Sequence, residues 1–188
     1  MKRIVKAFFL ILAIPTFSVF LLFAKIGSED TVFQGFSQIL SLLPGRLGIY
    51  YRAAFYRLAC VNTSDDVSIG FLTLLSHRNT TIHRGVYIGP QCNIGMCTIG
   101  VNTLVGSGVH IISGTSQHYF DNPDQPIQNQ GGKFVKISIG DDCWLGNLAV
   151  IGANVGHRSV IGTGSVVTKT IAPYSVVTGN PGKIVRVR

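Results

Sequence analysis

The sequence predicts an all-β solenoid, a parallel β-helix, preceded by an N-terminal helical, membrane-associated segment. Three observations predict it. The first is a six-residue beat of aliphatic residues at Ile82, Ile88 and Ile94, then Ile99, Val105 and Ile111, then Ile139, Leu145 and Ile151, then Val155, Ile161 and Val167. The second is the company those residues keep. A glycine follows most of them, and four residues on stands a small or β-branched residue: Cys92, Thr98, Thr103, Val109, Cys143, Ala149, Ser159 or Ser165. The third is an uncharged apolar run over residues 7–24, ahead of the beat.

The chain divides into residues 1–30, 31–66 and 67–188. In the first segment, Lys2, Arg3 and Lys6 precede the apolar run and Lys25 follows it. The run has about the minimum length that crosses a bilayer. A cleavable signal peptide would need a shorter apolar core and a small-x-small site, and no convincing site follows. Basic residues flank the run on both sides, including Arg46, Arg52 and Arg57 downstream. Both flanks therefore favour the cytoplasm. Pro15 sits mid-run, where it can break a helix. The expectation is a re-entrant hairpin or an interfacial helix, with the following domain cytoplasmic.

Residues 31–66 read as an amphipathic helical region. Val32, Phe33, Phe36, Ile39, Leu40 and Leu43 recur at helical spacing, and Pro44-Gly45 punctuates. Tyr50, Tyr51, Phe55 and Leu58 form a second stripe beside Arg52 and Arg57. Such a stripe suits a membrane interface. It equally suits a cap over the open end of a solenoid.

Residues 67–188 hold the repeats. A six-residue unit fits one short strand and one corner. The aliphatic side chain points inward, the glycine frees the corner from a Cβ clash, and the small residue fills the inside of the bend. Three units close a triangular coil, and coils stack at the strand spacing of about 4.8 Å. The beat slips twice, to five residues at Ile94–Ile99 and to four at Ile151–Val155. A polar loop over residues 112–138, with Pro123, Pro126, Gly131 and Gly132, interrupts it. A long loop in a strict solenoid points to function.

The net charge of +8 on 188 residues is spread rather than clustered with aromatics, which argues against nucleic-acid binding. Anionic lipid and a polyphosphate ligand explain it better. Of the four cysteines, Cys92 and Cys143 fall on small interior positions. Cys92 and Cys97 lack a second pair, so no metal is expected.

The repeats resemble the left-handed parallel β-helix of the hexapeptide-repeat acyltransferases. The resemblance covers about residues 67–188 and is most specific over Ile139–Lys169, including Trp144-Leu145-Gly146 and Gly164-Ser165-Val166-Val167-Thr168-Lys169. Gly179-Asn180-Pro181-Gly182-Lys183 is similar to the family's end signature. The resemblance implies a homotrimer with active sites between subunits and acetyl-CoA as acyl donor. Trp144, Gly146, Asn147, Gly164, Thr168 and Lys169 would line the donor slot, with the Asn147 amide holding the oxyanion.

Acyl transfer to a hydroxyl needs a base, and histidine suits it at neutral pH. His118 opens the loop, at the spacing from Val109-His110-Ile111 where the family's sugar acetyltransferases carry theirs. His110, His77, Asn93 and Asp121 are candidates for acceptor binding, and Asp121 or Asp124 could orient the imidazole. His83 and His157 read as surface corner residues. The expected activity is acetyl transfer to a sugar hydroxyl of a cell-surface or exopolysaccharide precursor. The alternatives are a transferase using acyl carrier protein or a longer acyl-CoA, a non-catalytic membrane-bound scaffold of a polysaccharide assembly complex, and a zinc β-helix of the γ-carbonic anhydrase kind.

Overall fold

A computed structural model describes residues 2–188. Three helices come first: α1 (Lys2–Ala24), α2 (Glu29–Ser41) and α3 (Gly45–Ala59). The rest winds as a three-faced parallel coil.

The beat is the core. Every aliphatic residue of the repeat is buried, from Ile82 to Val167. Successive coils carry Ile69, Leu75 and Ile82, then Ile88, Ile94 and Ile99, then Val105, Ile111 and Ile139, then Leu145, Ile151 and Val155, then Ile161, Val167 and Ile171. One face stacks the strands Ser68–Ile69, Tyr87–Ile88, Leu104–Val105, Trp144–Leu145, Val160–Ile161 and Ser175–Thr178 in register. A second stacks Leu74–Leu75, Asn93–Ile94, His110–Ile111, Val150–Ile151 and Val166–Val167. The third starts as Thr81–Ile82, Cys97–Ile99 and Ile137–Ile139, then thins to single bridges at Val155 and Ile171. The four-residue slip leaves no room for a strand there. Lys183–Val187 turns back antiparallel on Ser175–Thr178 and closes the last coil.

The small corner residues do more than fill space. Thr73 donates to the Gly89 carbonyl at 2.6 Å and accepts the Cys92 N–H at 3.2 Å. Thr103 repeats the pattern with Gly140 and Cys143, and Ser159 with Ala172 and Ser175. Cys92 and Cys143 donate from Sγ to the Gly106 and Gly156 carbonyls. A hydroxyl or thiol here satisfies backbone groups of the next coil that the ladder leaves unpaired. All four cysteines are free and buried. Burial pushes the Cys97 thiol up to about 12 and raises Cys60, Cys92 and Cys143 as well. They are inert thiols.

Three expectations need correcting, and the start of the coil becomes definite. Thr98 is not a corner residue. The five-residue slip places it mid-strand in Cys97–Ile99, and Cys97 takes the inward position instead. The first coil begins at Ile69-Gly70, within the expected span 67–188, and His77 belongs to it. Pro15 does not break α1, which runs unbroken through it, so residues 7–24 form no hairpin. Arg52 is not a lipid-facing cation. It is fully buried, donating to the carbonyls of Ile69 at 3.0 Å, Leu40 at 3.1 Å and Leu43 at 2.7 Å. It binds the orphan carbonyls at the α2 C-terminus to the first coil.

The helices cap the solenoid. Phe33, Leu40, Phe55 and Tyr56 join the same apolar cluster as Ile69 and Leu75. The Tyr50–Phe55 stripe packs against α1: Phe9 stacks on Tyr50 at 5.4 Å, and Phe20 meets Phe33, Phe36 and Phe55 edge-on. Ile39 and Leu43 point outward instead.

Candidate active site

On the second face, side chains outside the tube alternate with the buried beat. Asn93 and His110 are register partners there, one coil apart. His77 stands at the following corner of the first coil, its Nδ1 2.8 Å from Ser76 Oγ. The loop leaves the face just after Ile111 and is a paired hairpin at its root. Val135 N–H donates to Ser113 O at 2.8 Å, Lys133 N–H to Ser116 O at 2.8 Å, and Tyr119 N–H to Gly131 O at 3.0 Å. Ser113 Oγ pins the root by accepting the Met96 N–H at 2.8 Å. The return limb brings Phe134 to 5.1 Å from the His77 ring.

The result is a cleft of about 650 Å³ lined by His77, Asn93, His110, Gln117 and Phe134. The helical cap closes its other side with Asp30 and Gln34. Both are tied down: Asp30 accepts the Arg78 N–H at 2.9 Å, and Gln34 donates to Ser76 O at 3.1 Å. The cleft thus gathers an aromatic ring, two imidazoles, three amides and a carboxylate. That set matches a polyhydroxylated ligand, with hydrogen bonds at its edges and a ring against its apolar face. Among the described residues, no three His, Cys, Asp or Glu side chains cluster closely enough to hold a metal ion.

Three of the expected acceptor residues, His77, Asn93 and His110, meet in this cleft. Asp121 does not; it is exposed on the outer loop. His118 neighbours the lining residue Gln117 but is itself exposed and outside the cleft of its own chain. His83 and His157 border a separate, shallow groove on the third face. Sequence reasoning missed Gln117, Phe134, Asp30 and Gln34. Nothing local marks them, because tertiary pairing of the hairpin and docking of α2 bring them in.

The expected donor residues spread over three surfaces. Thr168 and Lys169 share a cleft of about 230 Å³ with Lys183 and Gly182. That cleft therefore sets two lysines beside a threonine. Trp144 stands on the first face between Leu104 and Val160, 54% exposed. Asn147 and Gly164 share the corner between these surfaces, linked by the Gly164 N–H to Asn147 O bond of 2.9 Å. The Asn147 side chain is occupied, since its Oδ1 accepts the Ser107 N–H at 3.0 Å. Its backbone N–H donates to nothing among the described residues and is free for a ligand oxygen. Gly164 has φ +67, and a Cβ there would meet open space. Gly146 differs: it is buried, and a Cβ would lie 2.6 Å from Thr163 N. Coil stacking alone already requires a glycine there.

Comparison with known proteins follows the same lines. Residues 136–169 match a family profile described as the hexapeptide repeat of succinyl-transferase. A chloramphenicol acetyltransferase of Agrobacterium fabrum is 34% identical over 118 residues, covering 54% of this chain and 56% of that protein. The chain spans about three fifths of the length of the curated relatives it matches. Among solved structures, a maltose O-acetyltransferase from Clostridium difficile 630 superposes with TM-score 0.69 at 22% identity, covering 86% of this chain and 89% of the other. A galactoside acetyltransferase in complex with coenzyme A superposes with TM-score 0.68 at 23% identity, covering 86% and 83%. This likeness assigns the fold, and with it the left-handed sense of the coil. In repeat, in sequence similarity and in fold, the chain resembles the hexapeptide-repeat acetyltransferases.

Proposed function

We propose that the protein is an acetyl-CoA-dependent O-acetyltransferase acting on a sugar hydroxyl of a cell-surface or exopolysaccharide precursor. The observation that carries this reading is the cleft of about 650 Å³ under the hairpin, which His77, Asn93, His110 and Phe134 line together. The donor supplies an already activated thioester, so the chain need provide no nucleophile. Its own residues position the acceptor hydroxyl, take its proton and steady the carbonyl oxygen. His118 takes the proton as general base. The free N–H of Asn147 meets the carbonyl oxygen as charge develops. Thr168, Lys169 and Lys183 hold the donor's phosphates, and Trp144 and Gly164 flank its arm.

His118 is exposed and does not line its own chain's cleft, and the donor residues lie on other surfaces. Packing three chains side by side would resolve both facts, with the hairpin of one reaching the wall of the next. The outward row Tyr87, Leu104 and Trp144 on the first face is apolar and exposed, which favours such packing.

A membrane surface is the proposed location. Within Arg3–Ala24 an 18-residue window has mean hydropathy 2.5, with only 17% of that window buried. Packing along α1, at Phe9 and again at Phe20, ties the helix sideways to the cap. A helix held this way lies in the interface rather than crossing it, with the coil in the cytoplasm beside its donor.

The acceptor assignment has a direct test. His110→Ala and Asn93→Ala should each raise the acceptor KM about tenfold, the worth of one hydrogen bond to a bound hydroxyl, and leave the acetyl-CoA KM unchanged. Equal shifts in both constants would place the acceptor elsewhere.

A further inference from the structure

A second cleft, also about 650 Å³, lies away from the candidate active site, between α1 and the bend that joins α2 to α3. Its walls are Phe8 and Leu12 of α1, Ile39 and Leu43 at the end of α2, and Leu47 at the start of α3. Its volume is in the ordinary range of ligand pockets, about 300–1,000 Å³. The bend that makes it is specific. Gly45 takes φ +64, and a Cβ on Gly48 would lie 2.0 Å from the Leu43 carbonyl oxygen. The α2 terminus and α3 therefore approach closely, and α1 bridges the angle between them.

The chemistry of the walls selects the occupant. Thr16 and Tyr51 are the two side chains with hydroxyls in the lining, and they bond each other at 2.5 Å. Arg52 holds the Leu40 and Leu43 carbonyls from the protein side. Nothing in the lining is left to recognise a sugar, a nucleotide or a peptide backbone. The mouth is continuous with the exposed apolar side of α1, because Phe8 and Leu12 line the cleft and are themselves 59% and 46% exposed. Arg46, exposed between Gly45 and the lining Leu47, stands at the bend, and no acidic residue lines the cleft. An apolar slot beside a bend that carries an exposed cation, open toward the apolar side of α1, fits a lipid with an anionic head.

We infer that this cleft holds one acyl chain of an anionic glycerophospholipid, with Arg46 meeting its phosphate. The inference rests on the membrane-surface reading above and goes further, to a single defined site. Seating the chain joins α1 to the end of α2. The same helix α2 carries Asp30 and Gln34 at the edge of the candidate acceptor cleft. The lipid would thereby hold that cleft at a fixed height above the membrane.

The test uses the full chain with phosphatidylcholine vesicles containing phosphatidylglycerol. Flotation reads membrane binding. Native mass spectrometry after gentle detergent extraction reads bound lipid. Leu43→Trp and Leu12→Trp fill the cleft from opposite walls while keeping the surface apolar, and circular dichroism checks that each folds. The expected result is that all three proteins float, the parent chain retains one phosphatidylglycerol, and both variants retain at least about tenfold less. Equal retention in a folded variant would overturn the cleft and leave the membrane reading standing. Retention of phosphatidylcholine in preference would overturn the anionic occupant. Failure of the parent chain to float would overturn the membrane reading and this inference together.

Discussion

His118→Ala is expected to lower kcat for acetyl transfer by about 10³-fold, within the range of a lost general base, while the affinity for acetyl-CoA stays within about twofold. The reasoning is one of place. His118 sits beside Gln117 near the root of the hairpin, on the rung closed by Tyr119 N–H to Gly131 O. A side chain on that paired limb is presented at a fixed height above the second face. It is exposed, so alanine leaves the fold intact. The proposed donor residues lie on other surfaces, so donor affinity has no reason to change. His118→Gln keeps the size and a hydrogen bond without the basicity, and should be nearly as inactive. Steady-state rates beside a binding titration check both. Wild-type turnover in either variant would remove His118 from the mechanism.

Arg52→Met should cost about 3 kcal/mol of stability and lower Tm by roughly 6–12 °C. Two effects compete. Burying a guanidinium is unfavourable, and here Nη2 finds no partner and desolvation lowers its pKa. Against this stand three charge-assisted bonds to backbone carbonyls, each worth about 1.5–3 kcal/mol. Methionine keeps the stem's packing but orphans those carbonyls at the join of cap and coil. The bonds win, and the join is where loss propagates. Arg57→Met is the control. Arg57 is exposed with one bond to Thr63 O at 3.2 Å, and its loss should cost less than about 1 kcal/mol. Thermal melts of the two variants make the comparison. A stable Arg52→Met would mean that the buried charge contributes nothing net.

The pair of arginines also shows what a sequence can and cannot carry. The solenoid was legible because each inward position repeats a chemical demand: Ile88, Ile94 and Val105 are apolar for the same reason, and the period follows from the coil. The first coil was legible in principle too, since Ile69-Gly70 and Thr73 obey the same rule. Its signal was weaker because a seven-residue step separates Leu75 from Ile82. Thr98 fails for the converse reason. A shortened step moved the strand by one residue, which exchanges inside for outside.

Arg52 and Arg57 carry the same charge on one helix, and only packing decides that one is buried and the other exposed. Pro15 gave the wrong expectation for a similar cause. A helix clamped along its length by Phe9 and Phe20 has tertiary contacts to offset the missing hydrogen bond. In the site, His77, Asn93 and His110 could be nominated from the repeat. Phe134 and Gln34 could not, since a hairpin's register and a helix's docking place them.

The central claim is that this solenoid binds acetyl-CoA for transfer, and the most direct measurement is calorimetric titration of the detergent-solubilised protein with acetyl-CoA, beside Lys169→Ala. It needs no knowledge of the acceptor. The account predicts micromolar binding that weakens about tenfold in the variant, because Lys169 and Lys183 share one cleft at the end of the coil, proposed to hold the donor's phosphates. No binding to folded protein would contradict it.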